Sequence, residues 1–243
     1  MLRDLRTRFG RTFWGPVILV GWPLSHGLFL MIVYAVARRL NPMGADPTVF
    51  FATGVLPYVL CIHPSRSIMS FSIHANRQLL QIPLVKPADL LFAQCIAQAV
   101  ISFWVATLFT LALYLWGIDI VPQRPDEAIF AVFATIYLSI AIGSLGGVMY
   151  ALVRAWVAVQ ILSLIAMYFT SGALFLPEAL PQALRTAISF NPLFHCVEWF
   201  RAGFYDYYSY GMLSRTYLLG TSTVILLLAL LIERGLRGRL LEH

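Results

Sequence analysis

Uncharged apolar stretches of about 20 residues or more recur along this chain, and no other feature restricts its fold as severely. About 20 apolar residues are what an α-helix needs to cross the hydrocarbon core of a bilayer, since it rises about 1.5 Å per residue through about 30 Å. A soluble fold cannot hide so much apolar surface. Of the 243 residues 60% are hydrophobic and 12% charged, against about 25% charged in an ordinary soluble domain. Lipid is the solvent that suits such a chain, and an all-α membrane protein is the expected fold.

Six transmembrane helices are expected, over residues 17–37, 48–68, 88–116, 128–153, 155–176 and 212–232. Residues 1–15 carry Arg3, Arg6, Arg8 and Arg11, with Leu2, Leu5 and Phe9 at helical spacing, the pattern of an amphipathic interface helix. Pro57 and Pro64 punctuate the second span, so its freed carbonyls need neighbouring helices or water. Asp126 is the expected N-cap of the fourth, and Arg154 leaves only a tight turn before the fifth. Between spans five and six, Pro177, Pro181, Glu198, Arg201 and Asp206 break the hydrophobicity, while Asn191-Pro192 reads as an N-cap with a first-turn proline. Two short half-inserted helices are expected there. No internal repeat or flexible linker appears, so residues 1–243 are read as a single transmembrane domain. The first apolar run is long and lacks a small-residue cleavage pattern, so no cleavable signal is expected.

Basic residues favour the cytoplasmic side of a membrane. With the N-terminus inside, 11 of the 17 basic residues are cytoplasmic: Arg3, Arg6, Arg8, Arg11, Arg66, Arg77, Lys86, Arg154, Arg234, Arg237 and Arg239. The other six, Arg38, Arg39, Arg124, Arg185, Arg201 and Arg215, share the outer side with seven of the 11 acids. Both termini are therefore expected in the cytoplasm, although Arg38 and Arg39 run against the rule. The positive charge is topological, since the arginines flank apolar stretches rather than forming a basic face for nucleic acid.

Residues for catalysis are not apparent. Gly143-Ser144-Leu145-Gly146-Gly147 is the one glycine cluster, and it lacks the lysine of a phosphate-binding loop, so close helix packing is its expected role. His26, His63, His74, His195 and His243 form no H-E-x-x-H, and no paired-carboxylate set lies within a span. Cys61, Cys95 and Cys196 are odd in number and far apart, which suggests small buried residues rather than a disulfide framework. No catalytic, cofactor-binding or metal-ligating residue is assigned. A lipid-modifying membrane enzyme is the distant alternative.

Two groups of residues invite a functional reading. The stretch Asn76-Arg77-Gln78-Leu79-Leu80-Gln81-Ile82-Pro83-Leu84-Val85-Lys86-Pro87 alternates charge, amide and apolar groups, long enough for a short helix parallel to the membrane on the cytoplasmic face, as either an ordinary interfacial loop or a docking element for a cytoplasmic partner. Trp104, Tyr114, Trp116, Tyr137 and Tyr150 lie within spans three and four, and Tyr207 and Tyr208 belong to an outer tyrosine cluster. Aromatic faces stack on sugars without strict register, though an interfacial aromatic belt accounts equally for Trp116 and the tyrosines.

Several motifs together resemble the membrane subunits of type-2 ABC exporters, most closely those that export capsular polysaccharide. They are Leu5-Arg6-Thr7-Arg8-Phe9-Gly10, Pro23 with His26, Val85-Lys86-Pro87, and Asn191-Pro192-Leu193 with His195, Val197 and Glu198. Arg66 also falls at a position where the family carries a polar Asn-Arg-Ser or similar; Trp22 departs from an acid before the proline. The resemblance implies a homodimer bound to two copies of a cytoplasmic ATP-binding subunit, which would hold ATP and Mg while this chain holds no cofactor. Residues 76–80 would be its coupling element. Arg66 and the aromatics Trp104, Tyr114, Trp116, Tyr137, Tyr150, Tyr207 and Tyr208 are the candidates for a polysaccharide path. A Gram-negative inner-membrane setting, a lipid-linked polysaccharide as cargo, and periplasmic and outer-membrane export proteins as further partners are also implied. O-antigen or teichoic-type polymer is the alternative cargo for the same architecture.

Overall fold

A computed structural model describes residues 14–36, 47–82, 84–205, 211–236 and 238. In chain order they form α1 (Trp14–Val36), α2 (Pro47–Phe71), a 3₁₀ segment (His74–Gln81), α3 (Pro87–Leu115) and α4 (Pro125–Leu152). Then follow α5 (Trp156–Phe169), a 3₁₀ turn (Pro177–Ala179), α6 (Gln182–Ile188), α7 (Pro192–Phe204) and α8 (Arg215–Gly235). No strand occurs among the described residues. The expected surface helix before Trp14 lies outside them, as do Arg38, Arg39, Tyr207 and Tyr208.

Four helices are long and apolar enough to cross a membrane, over Thr48–Phe71, Pro87–Leu115, Pro125–Leu152 and Arg215–Gly235. Val17–Val33 and Trp156–Phe169 are shorter apolar helices. The fifth expected span differs most from its expectation, because α5 stops at Phe169 rather than continuing to residue 176. The Thr170 N–H still bonds to the Ala166 carbonyl, but Gly172 then takes φ 74°, a left-handed conformation that only glycine adopts without steric cost. Asp126 is likewise not the N-cap of α4; Pro125 occupies the first turn, and Arg124 precedes it as the cap residue. The Arg124 N–H donates to the Gly203 carbonyl at 2.8 Å, so α7 fixes where α4 begins. The expected cap at Asn191 is present, its side chain accepting from the Leu193 N–H at 2.9 Å with Pro192 in the first turn.

Helix α2 forms the centre. In its most apolar stretch 83% of residues are buried, against 28% in α3 and 22% in α8, so α2 is enclosed on all sides while the others keep one apolar face outward. Phe50, Val55, Leu56, Val59 and Leu60 fill the main core with Phe109, Leu138 and Leu164. A second cluster of Ile68, Ile73, Leu91, Cys95, Val148 and Ala151 closes the other end, and Leu80 of the 3₁₀ segment packs on it. All three cysteines are free and buried.

Helix α4 runs against α2 with small residues at the contact. A Cβ on Gly143 would stand 2.8 Å from the Ile68 Cβ and 2.9 Å from the Ser65 Cα, and one on Gly147 would meet the Ser72 hydroxyl at 2.6 Å. Gly146 accommodates Gln160 of α5 in the same way. The glycine cluster therefore packs helices, as its setting within an apolar helix suggested. Gly143→Ala should destabilise the bundle by about 1–3 kcal/mol through overpacking. Gly220→Ala, where nothing lies within 4 Å of the added carbon, should be neutral or stabilising. Thermal unfolding of the two variants in the same detergent makes the comparison, and equal midpoints would contradict a tight α2–α4 seam.

Candidate functional site

Three polar regions stand out from the apolar bundle. The first is the connection from α2 to α3. Asn76 Nδ2 donates to the Phe71 carbonyl at 2.8 Å and to the Ser72 carbonyl at 3.0 Å, satisfying groups that the end of α2 leaves without helical partners. At the far side, Lys86 N–H donates to Asp89 Oδ2 at 2.9 Å and Pro87 opens α3. Between these caps Leu80 faces the second core cluster, Leu79 is half-buried and Gln78 is exposed. The side chain of Arg77 lies outside the described residues. Exposed apolar surface comes from Ile82 (45%) and Leu84 (88%), which belong to the same cytoplasmic stretch but fall outside the coupling element expected at residues 76–80. Their one sequence signal is position, on either side of Pro83 and just before Val85-Lys86-Pro87.

The second region gathers around α7. Arg201 is fully buried, donating through Nη1 to the Gly172 carbonyl at 2.7 Å and through Nη2 to the Ala173 carbonyl at 3.1 Å. Its guanidinium lies 4.0 Å from the centre of the Phe50 ring, and Glu198 Oε1 is 3.9 Å from Nη1. Asn191 Nδ2 donates to the Met167 carbonyl at 2.7 Å and to Thr170 Oγ1 at 2.8 Å, so the end of α5 is held from two positions on α7. Glu127 at the start of α4 accepts from Trp199 Nε1 at 2.6 Å and from Arg215 Nη2 at 2.7 Å. His195 is held in one neutral tautomer. The Ser214 N–H can only donate to Nδ1, at 3.2 Å, which leaves the proton on Nε2, 2.9 Å from the Ser189 carbonyl. Burial lowers the His195 pKa and so favours this neutral form, opposed by the Ser189 contact. Glu198 and Arg201, conspicuous in the sequence as breaks in hydrophobicity, are thus internal anchors.

The third region joins α1 to α2, where His26 Nδ1 and His63 Nε2 are 2.8 Å apart. Beside this pair a cavity of about 450 Å³ contains Arg66.

Among the described residues the aromatic candidates do not converge within a single chain. Trp104, Tyr114 and Trp116 are exposed on α3, and Tyr114 borders an apolar groove of about 490 Å³ between α3 and α4 with Phe103, Leu111, Val121 and Phe133. Tyr137 instead meets Thr223 of α8, hydroxyl to hydroxyl at 2.9 Å, and Tyr150 lies near the opposite end of α4. Tyr207 and Tyr208 lie outside the described residues.

The profile of the family described as "ABC-2 type transporter" matches residues 2–205. Among characterised proteins, the polysialic acid transport protein KpsM of Escherichia coli is 27% identical over 234 residues, covering 96% of this chain and 90% of its own. The capsule polysaccharide export inner-membrane protein CtrC of Neisseria meningitidis is 27% identical over 240 residues, covering 95% of this chain and 86% of its own.

Removing one partner from a buried charged network typically costs about 3–5 kcal/mol, because the remaining groups stay desolvated. Arg201→Met should therefore lower the thermal midpoint in detergent sharply, and adding Glu198→Gln should recover part of the loss. An unchanged midpoint in the single variant would show that the guanidinium does not hold α7 to the turn after α5.

Proposed function

Because this chain belongs to the ABC-2 type transporter family, we propose that it is the membrane subunit of an ATP-driven exporter carrying capsular polysaccharide across the inner membrane of a Gram-negative bacterium. The observation that carries the cargo is the near full-length similarity to a polysialic acid transport protein and to a capsule polysaccharide export inner-membrane protein, which spans both ends of the bundle. In this reading α1 and α5 complete a set of six spans with α2, α3, α4 and α8. Both termini and the α2–α3 connection are cytoplasmic, and α6 and α7 are inserted partway from the outer side. The chain forms a homodimer and binds two copies of a separate ATPase subunit, which holds ATP and Mg. Periplasmic and outer-membrane export proteins continue the route of a lipid-linked polymer. Arg66 and the aromatics of α3 and α4 contribute to its path.

The α2–α3 connection suits a docking role, for its caps and Leu80 fix it to the bundle while it presents apolar side chains outward. Asn76 and Leu80 thus serve as the footing of the coupling element, with Gln78, Leu79, Ile82 and Leu84 as its contact surface. A few buried side chains usually carry most of the energy of such an interface.

Leu79→Asp and Leu84→Asp each place a carboxylate in the proposed contact, at a cost of about 3–5 kcal/mol where the charge is buried unpaired. Less ATPase subunit should copurify per mole of membrane subunit, and surface polysaccharide should fall in the same strain. Normal recovery and normal export in both variants would remove the docking role from this connection. For the topology, single cysteines at Gln123 and Gln78 should react with a membrane-impermeant thiol reagent from outside and inside respectively. Labelling of the Gln78 position from outside would invert the proposed orientation.

A further inference from the structure

The cavity between α1, α2 and α3 contains polar groups that the helices leave uncommitted. Gln98 of α3 is 5% exposed, yet its amide makes no hydrogen bond among the described residues, and it lines the cavity. The serines of the helices usually turn their hydroxyls back to the chain, as Ser65 does to Cys61 at 2.7 Å, Ser163 to Val159 at 2.8 Å and Ser222 to Leu218 at 2.7 Å. Ser67 and Ser70 make no such bond. Ser67 Oγ only accepts, from Gln94 Nε2 at 3.4 Å, so its own proton remains to be given. Arg66 stands in the same wall with no ion pair or hydrogen bond among the described residues, whereas Arg201, Arg215 and Arg185 are all engaged. Arg66, Ser67, Ser70 and Gln98 thus line one cavity together with the His63 ring, and bring to it hydrogen-bond donors not committed to the protein.

These donors match an anion rich in acceptor oxygens, and the rim indicates what it is attached to. Ile18 and Trp22 of α1 border the cavity and are 47% and 71% exposed, giving the opening an apolar, aromatic side. Arg66 lies five residues before the end of α2, about 8 Å along the helix axis. That depth places a guanidinium at the boundary between headgroups and acyl chains, where basic pockets between spanning helices take lipid phosphates. We propose that this cavity binds the phosphodiester headgroup of an anionic membrane lipid, with Arg66 meeting the charge and Ser67, Ser70 and Gln98 donating to its oxygens. The acyl chains leave past Ile18 and Trp22. Assignment to the cytoplasmic leaflet rests on the topology proposed above; the binding itself does not depend on the cargo or on the ATPase.

The test uses the purified full-length chain in a neutral detergent, titrated separately with short-chain phosphatidylglycerol, short-chain phosphatidylcholine and inorganic phosphate. Phosphatidylglycerol should bind best. Arg66→Gln should weaken it about tenfold or more, equivalent to at least about 1.4 kcal/mol, and Gln98→Leu should weaken it less. Arg66→Lys should retain much of the affinity as a point charge, and Arg154→Gln, on the turn between α4 and α5, should leave it unchanged. Arg66 is exposed, so its variants should elute as the parent does in size exclusion. Inorganic phosphate binding as tightly as the lipid would mark a free-anion site and overturn the proposal. So would equal lipid affinity in the parent and Arg66→Gln, or no measurable lipid binding. Recovery of the ATPase subunit is a separate measurement, so failure here is distinguishable from failure of the exporter reading.

Discussion

Inside a bilayer no water satisfies a backbone group that leaves a helix, and each one left bare costs several kcal/mol. The break after α5 meets that constraint with a side chain supplied from a later helix. Gly172 turns the chain into a left-handed conformation, and the carbonyls of Gly172 and Ala173 then accept from the fully buried Arg201. A guanidinium suits this task because its planar donors reach two successive carbonyls at once. Phe50 covers its face, and Glu198 supplies a nearby counter-charge. Asn191 closes the end of α5, while Glu127 ties α4 to α7 and α8. Broken helices can therefore remain packed without exposing their freed backbone to lipid.

The other end of the bundle relies on shape. Gly143 and Gly147 bring α4 against α2 at distances where a Cβ would collide, so these two helices cannot slide without opening the contact. Ile68 and Ile73 of the α2 end pack with Leu91 of α3 and Val148 of α4, and Leu80 of the 3₁₀ segment rests on this cluster. A partner bearing on Leu79 or Leu84 would press on a surface continuous with that contact. On the exporter reading, motion from the ATPase enters through packed side chains, and the glycine seam transmits it because it has little room to absorb it.

Much of this was legible in the sequence where the physics is local. The long helices α3 and α4 were legible because apolar length alone requires them, and Asn191-Pro192 because a cap and a first-turn proline act within three residues. The early end of α5 was not, since its partner Arg201 lies 28 residues beyond Ala173. The start of α4 was misplaced for the same reason: the Arg124 amide bonds to Gly203, a contact made only after the chain has folded back. Arg66 was legible as a candidate, but its surroundings were not. Gln98, Ser67 and Trp22 come from three helices, and no periodicity in one segment shows that they face a common space.

The aromatic candidates illustrate a further limit, which concerns the number of chains rather than sequence distance. Trp104, Tyr114 and Trp116 are prominent on the exposed side of α3, whereas Tyr137 is committed to Thr223. A polymer path lined by aromatics needs at least two facing walls, and the described aromatics of α3 form one exposed side of a bundle whose centre is filled by α2. On the exporter reading the second wall belongs to the other copy of the chain. The exposed α3 aromatics and the apolar groove beside Tyr114 then face either lipid or that copy, and only the latter makes them a path. The cavity at Arg66 is different: its donors converge within a single chain.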